Sequence, residues 1–167
     1  MNVMAGMQEI QGELEASDVR LVTITVDPAY DTPDVLAPYA DGFEADPKRW
    51  LFLTGEREKI YRLIQKSFLL PVHQATGAER SEGHHVIHST DVLHVNAQGR
   101  VVGKYNALEE SERTKLVRAM KKEAALLKAE NEASLSGLSN FELTERSGKT
   151  VTKQDLLGQP WAVCFVF

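Results

Sequence analysis

Five histidines, one cysteine and two closely spaced aspartates are the residues of this 167-residue chain whose types and spacing could do chemistry. Three histidines stand together, His84, His85 and His88, in the pattern HHxxH beside Gly83. Neighbouring imidazoles on a glycine-flanked loop collect Zn, Ni or Cu(II) adventitiously. The pattern lacks the glutamate of the helical zinc-protease motif, so it does not point to hydrolysis. By pattern alone, His88 ahead of a strand reads as a satisfied polar residue. His73, in a loop, and His94, on a hairpin, read as structural. Asp27 and Asp31 flank Pro28-Ala29-Tyr30; they either orient a metal ligand from its outer shell or cap a strand and a helix. Cys164 lies among Val163, Phe165 and Val166, where an apolar setting raises the thiol pKa and keeps it inert. A single cysteine excludes an internal disulfide.

The elements that must position these residues follow from periodicity. Met4, Met7, Ile10, Gln11 and Leu14 recur at helical spacing. Val19 to Val26 is a β-branched and apolar run suited to a central strand, and Asp27-Pro28 stops it. Thr32-Pro33 has the N-cap and first-turn chemistry of a helix reaching about Phe43, with Pro38 kinking or shortening it. The two aspartates are thereby left on a strand-to-helix loop at the carboxyl end of a sheet, where open α/β sheets place ligands. Trp50–Thr54 is a short strand, and Thr54 is positioned to cap a helix that buries Ile60, Leu63, Ile64 and Phe68. Residues 69–83 are polar and read as a loop. Val86–Val95 and Val101–Tyr105 form an antiparallel hairpin around Asn96–Gly99, a turn that needs a positive φ at Gly99. Residues 109–132 are helical, with six acids balanced by six bases on a solvated face. Phe141–Thr152 reads as a small hairpin and Trp161–Phe167 as a fully buried strand.

Composition sets the outer limits. Apolar residues make up 43% and charged residues 26%, a globular balance for one domain. Net charge is −5, with pI near 5.6 and no local basic run, which argues against a nucleic-acid partner. No apolar run approaches the roughly 18 residues of a membrane span, and no signal-peptide pattern opens the chain.

Several segments together resemble the Sco/SenC family of thioredoxin-like copper proteins. They are Thr23-Ile-Thr-Val-Asp-Pro-Ala-Tyr-Asp-Thr-Pro-Asp34 with Tyr39, Leu53-Thr-Gly55, and Val86-Ile-His-Ser-Thr-Asp91 leading to Val95-Asn-Ala-Gln-Gly99. They cover residues 1–130 in the family's order. The family's hairpin, buried strand and CxxxC motif, which come before its first helix, have no counterpart there. The tail from Phe141 to Phe167 resembles that front end and halts where the cysteine loop would begin. The resemblance implies an α/β fold, a thioredoxin-like three-layer sandwich, with the C-terminal hairpin and strand supplying elements normally at the N-terminus. Residues 1–133 are the back part of the fold, 134–140 a linker, and 141–167 the front-end hairpin and central strand. That last segment belongs either to the same fold in permuted order or to a second tandem domain.

The resemblance also implies function. His88 matches the family's copper-ligating histidine, with Asp27 and Asp31 as candidates for the outer shell and His84 and His85 as weak adventitious ligands. It implies copper as the metal, cytochrome c oxidase as the partner in assembling its binuclear copper centre, and an extracytoplasmic, membrane-anchored parent. The role implied is that of a metallochaperone acting by thiol–disulfide and ligand exchange rather than an enzyme. Without a cysteine pair, the chain is expected to hold copper weakly. Two other functions share the scaffold: a non-catalytic interaction domain whose cysteines were lost, and a thiol peroxidase, for which Cys164 is poorly placed. The expected states are a monomer or a homodimer that swaps the tail strand.

Overall fold

The computed structural model describes residues 2–71, 73–74, 86–87, 89–129 and 139–166. Helix α1 (Val3–Glu13) opens the chain, capped by Asn2, whose side chain accepts a hydrogen bond from the Ala5 amide. Its buried face is Val3, Met4, Met7 and Ile10, and the Gln11 side chain bonds Glu44 O and the Asp46 amide. Strand β1 (Arg20–Thr25) follows, then α2 (Pro33–Asp41), β2 (Trp50–Thr54) and α3 (Arg57–Lys66). Proline stands at the first turn of α2 after Thr32, and Pro38 lies inside a helix of nine residues.

Two short strands, β3 (His73–Gln74) and β4 (Val86–Ile87), pair antiparallel in a separate ladder. Strand β5 (Asp91–Val95) and β6 (Val101–Asn106) form the expected hairpin. Gly99 has φ +73°, and Asn96 Oδ1 accepts from the Gln98 and Arg100 amides, closing the turn. Helix α4 (Glu110–Ala129) is followed by β7 (Glu142–Glu145), β8 (Thr150–Thr152), a single turn α5 (Lys153–Leu156) and β9 (Trp161–Val166). Thr152 and Asp155 form a capping box at α5.

Among the described residues the main sheet has seven strands in the order β6-β5-β9-β1-β2-β7-β8. β9 runs parallel to β1 with Arg20 opposite Trp161 and Thr25 opposite Val166, and antiparallel to β5. The tail strand therefore occupies the centre, as the resemblance implied. Every residue of β9 is buried. Its side chains alternate between two cores. Ala162, Cys164 and Val166 face the core under α1, α2 and α4, while Trp161, Val163 and Phe165 face the core under α3 and the β7–β8 hairpin. At roughly 1.5–3 kcal/mol per large side chain buried, this strand is a major source of cohesion between the layers. α1 approaches the β6–α4 connection so closely that a Cβ on Gly6 would lie 2.4 Å from Ala107 O.

Three expectations need correction. Val86–Val95 is not one strand: its two ends join different sheets. The Ser89 hydroxyl bonds the Asp91 carboxylate and also accepts from the Asp91 amide at 3.1 Å, a local turn that competes with ladder pairing. Thr54 does not cap α3, which starts after Glu56, because the Thr54 backbone is committed to pairing with Thr144 of β7. Part of the 69–83 segment is strand rather than loop, since His73 pairs with Ile87. Most of the 134–140 linker lies outside the described residues.

Candidate functional site

The parallel strands β9 and β1 end together, and their ends carry the polar residues. The Val26 amide extends the ladder by donating to Val166 O at 2.6 Å. Beyond it, the Thr25 hydroxyl donates to Asp31 Oδ2 and accepts from the Asp27 amide at 3.0 Å. This closes the Asp27–Asp31 loop onto the strand. Both aspartates thus finish the strand rather than cap α2, whose N-cap is Thr32. Asp31 is 5% exposed. Burial pushes its carboxyl above the usual carboxylate range; the Thr25 hydroxyl opposes that shift and the Asp27 charge adds to it. Asp27 is more open and pairs with Arg57 at 3.6 Å. Tyr61 Oη donates to Val26 O at 3.2 Å. Burial, with the neighbouring Cys164 and Asp31, raises the Tyr39 phenol to about 12.

Two residues inward on the same face, the chemistry is shut off. Thr23 Oγ1 lies 3.0 Å from Cys164 Sγ and accepts from Trp50 Nε1 at 2.9 Å, and all three residues are fully buried. Burial lifts the Cys164 thiol to about 12, against smaller opposing hydrogen bonds. This agrees with the reading of Cys164 as core. His94 also has a structural role. It is 4% exposed, its Nε2 is 2.7 Å from Glu123 Oε2, and Glu123 Oε1 accepts from the Ala97 amide.

The oxygens of Asp27 and Asp31 are hard donors and do not form the soft thiolate set that Cu(I) favours. Among the described residues no group of three or more His, Cys, Asp or Glu is arranged to hold a metal ion. His84, His85 and His88 lie outside the described residues. β5 runs antiparallel to β9, so it begins at the end where β9 stops.

The sequence model of the SCO1/SenC family matches residues 1–125. The chain belongs to the SCO1/SenC family. A SCO1 protein homolog of Bacillus subtilis (strain 168) is 32% identical to this SCO1/SenC chain over 108 residues, 63% of the chain and 53% of that relative. The chain spans about half the length of the curated relatives it matches. A SCO1/SenC family lipoprotein from Bacillus anthracis str. Ames is similar in structure, with TM-score 0.64 and 29% identity over 73% of this chain and 71% of that one. BsSco, a member of the Sco family of cytochrome c oxidase assembly proteins in which a disulfide switch was identified, gives TM-score 0.61 and 29% identity over 74% and 71%. ScoI of Bradyrhizobium japonicum with copper bound, at 18% identity and TM-score 0.53 over 72% and 71%, shares the fold.

Sequence reasoning missed the Thr25–Asp31 and Thr23–Trp50–Cys164 contacts. The two-residue period of β1 places Thr23 and Thr25 on one face, which is the signal that could have found them.

Proposed function

We propose that this SCO1/SenC chain takes part in copper handling and thiol–disulfide exchange during assembly of the copper centre of cytochrome c oxidase. It does so outside the cytoplasm, within a membrane-anchored parent. Copper is the cargo. The reading assigns His88 as the imidazole ligand and takes two thiolates from outside residues 1–167, because Cys164 is sealed in the core. Residues 141–167 are read as the front end of the same fold unit.

The observation that carries this is the strand order β5-β9-β1. It brings the end of β9, the Asp27–Asp31 loop and the start of β5 to one end of the sheet. Asp31, locked by Thr25, is suited to orient a neighbouring group rather than to bind metal itself.

Anaerobic Cu(I) titration against a competing chelator tests the proposal. Residues 1–167 alone should bind weakly. The parent protein should bind tightly, and His88→Ala should weaken that binding by roughly a hundredfold or more, since losing a direct ligand costs at least as much as losing an outer-shell partner. Tight binding that survives His88→Ala would remove His88 as a ligand. A stoichiometric ion that survives dialysis of residues 1–167 would move the site to His84, His85 and His88.

The second reading, a non-catalytic interaction domain, is favoured by the inaccessibility of Cys164. It predicts that the parent protein lacks tight Cu(I) binding altogether. A thiol peroxidase would need an exposed, acidic thiol, and Cys164 is neither exposed nor acidic.

A further inference from the structure

Helix α3 has two flanks, and only one faces the candidate site. At about 100° per residue, Arg57 and Tyr61 lie on one side of the buried stripe of Ile60, Leu63 and Ile64, where they meet Asp27 and Val26 O. Lys59, Arg62 and Lys66 lie on the other side. There they line a groove of about 450 Å³ between α3 and the start of β7. The groove has an apolar floor, formed by the buried Leu63 and Leu143 and the partly buried Phe141. Lys59 is tied to Glu56 at 2.7 Å, whereas the side chains of Arg62 and Lys66 have no hydrogen-bond or ion-pair partner among the described residues. Glu142 is the acid on the rim. With Lys59 paired and Glu142 on the rim, Arg62 and Lys66 still leave the groove net positive on a chain whose net charge is −5. A concave site of that sign draws in carboxylates.

We propose that this groove docks an extended segment of a partner protein that carries carboxylates on either side of an apolar side chain. Charge complementarity selects the occupant. The carboxylates meet Arg62, which can bind them in a two-pronged manner, and Lys66. The apolar side chain covers Phe141 and Leu143. The groove lies about one helix diameter, roughly 10 Å, from the Asp27 end of α3. A partner seated there is held beside the candidate site and leaves it open. The proposal needs only the groove and stands whether or not copper is the cargo.

Fluorescence anisotropy on the whole chain tests it, with a short fluorescein-labelled peptide of glutamates around one leucine as the probe. Binding should be saturable and should weaken as salt is added. Arg62→Glu with Lys66→Glu should cost roughly tenfold in affinity, since two attractions become repulsions. Lys121→Glu with Lys122→Glu, an equal charge change at exposed positions of α4, should leave binding unchanged. Replacing the peptide's leucine with serine should weaken binding through the apolar floor. An equal loss in both double variants, or equal binding of the serine peptide, would overturn the proposal in favour of diffuse charge. Binding to phosphatidylserine vesicles without binding to the peptide would overturn it in favour of a membrane surface. Circular dichroism checks folding, and if the double glutamate variant unfolds, Arg62→Gln with Lys66→Gln carries the same test with a smaller expected loss.

Discussion

Thr23 and Thr25 sit two residues apart on one face of β1, roughly 7 Å along the strand, and they serve opposite ends. Thr23 lies deep in the sheet, holds Trp50 and Cys164, and shares in a closed set of hydrogen bonds with no exposed member. Thr25 lies at the strand end, holds Asp31 and the Asp27 amide, and leads outward to Arg57. The chemistry of the hydroxyl is the same in both. What differs is whether the sheet continues past it, because a strand end releases backbone and acids into a loop while a strand centre must satisfy every polar group internally.

Breaking the closed region should have the largest effect. Phe165→Ala removes a fully buried ring of β9 that packs edge-on against Phe68 at 5.3 Å, and should cost about 3–5 kcal/mol in urea unfolding. A loss below about 1 kcal/mol would show that β9 does not hold the two cores together.

The next effect sharpens the contrast through pH. The Cys164 thiol is raised to about 12 in the folded protein, above the ordinary thiol pKa of about 8.5 in the unfolded chain. Between those values the unfolded chain has released its thiol proton and the folded chain has kept it, so stability falls as pH rises. The slope should approach roughly 1.4 kcal/mol per pH unit, and Cys164→Ala should remove it. Thermal melts of both proteins from pH 8 to 10 measure the difference. Parallel losses in the two proteins would mean that Cys164 is accessible.

The smallest effect belongs to the open end. The Asp31 carboxyl is raised by burial, so the folded state takes up its proton more readily than the unfolded state. Stability from this group grows as pH falls through its folded pKa and is lost as pH rises from the ordinary carboxylate range. Asp31→Asn keeps an acceptor for Thr25 and should change stability at neutral pH by about 1 kcal/mol or less, while flattening the acid limb of the stability curve. A loss of several kcal/mol would show that the strand end is as closed as its centre.

Much of this organisation was legible in the chain. The run from Val19 to Val26, the stop at Asp27-Pro28, the Gly99 turn and the buried tail strand all follow from side-chain shape and backbone restriction, which act locally. The helix start after Thr54 was not legible, because β7 lies some ninety residues downstream of β2 and its pairing with Thr54 decides the matter. The split at Ser89–Asp91 was hidden for a related reason: Val86–Val95 is apolar enough for one strand, and only the Ser89 hydroxyl at the junction shows otherwise. Of the candidate site, Asp27 and Asp31 were placed correctly on the loop, but their partners Thr25 and Arg57 emerged only from packing.

From the chain alone come the kind of element most segments form, the apolar setting that keeps Cys164 inert, and the family resemblance carried by residues 23–34 and 86–99. The resemblance already put the tail strand centrally, but packing alone fixed its parallel register against β1 and its antiparallel pairing with β5, set Thr23 against Cys164 and Thr25 against Asp31, and gave α3 a cationic flank over an apolar floor. Propensity and capping are settled within a few residues of the chain. Strand order and pairing register are settled by which apolar faces can be buried together, and that depends on residues more than a hundred positions apart.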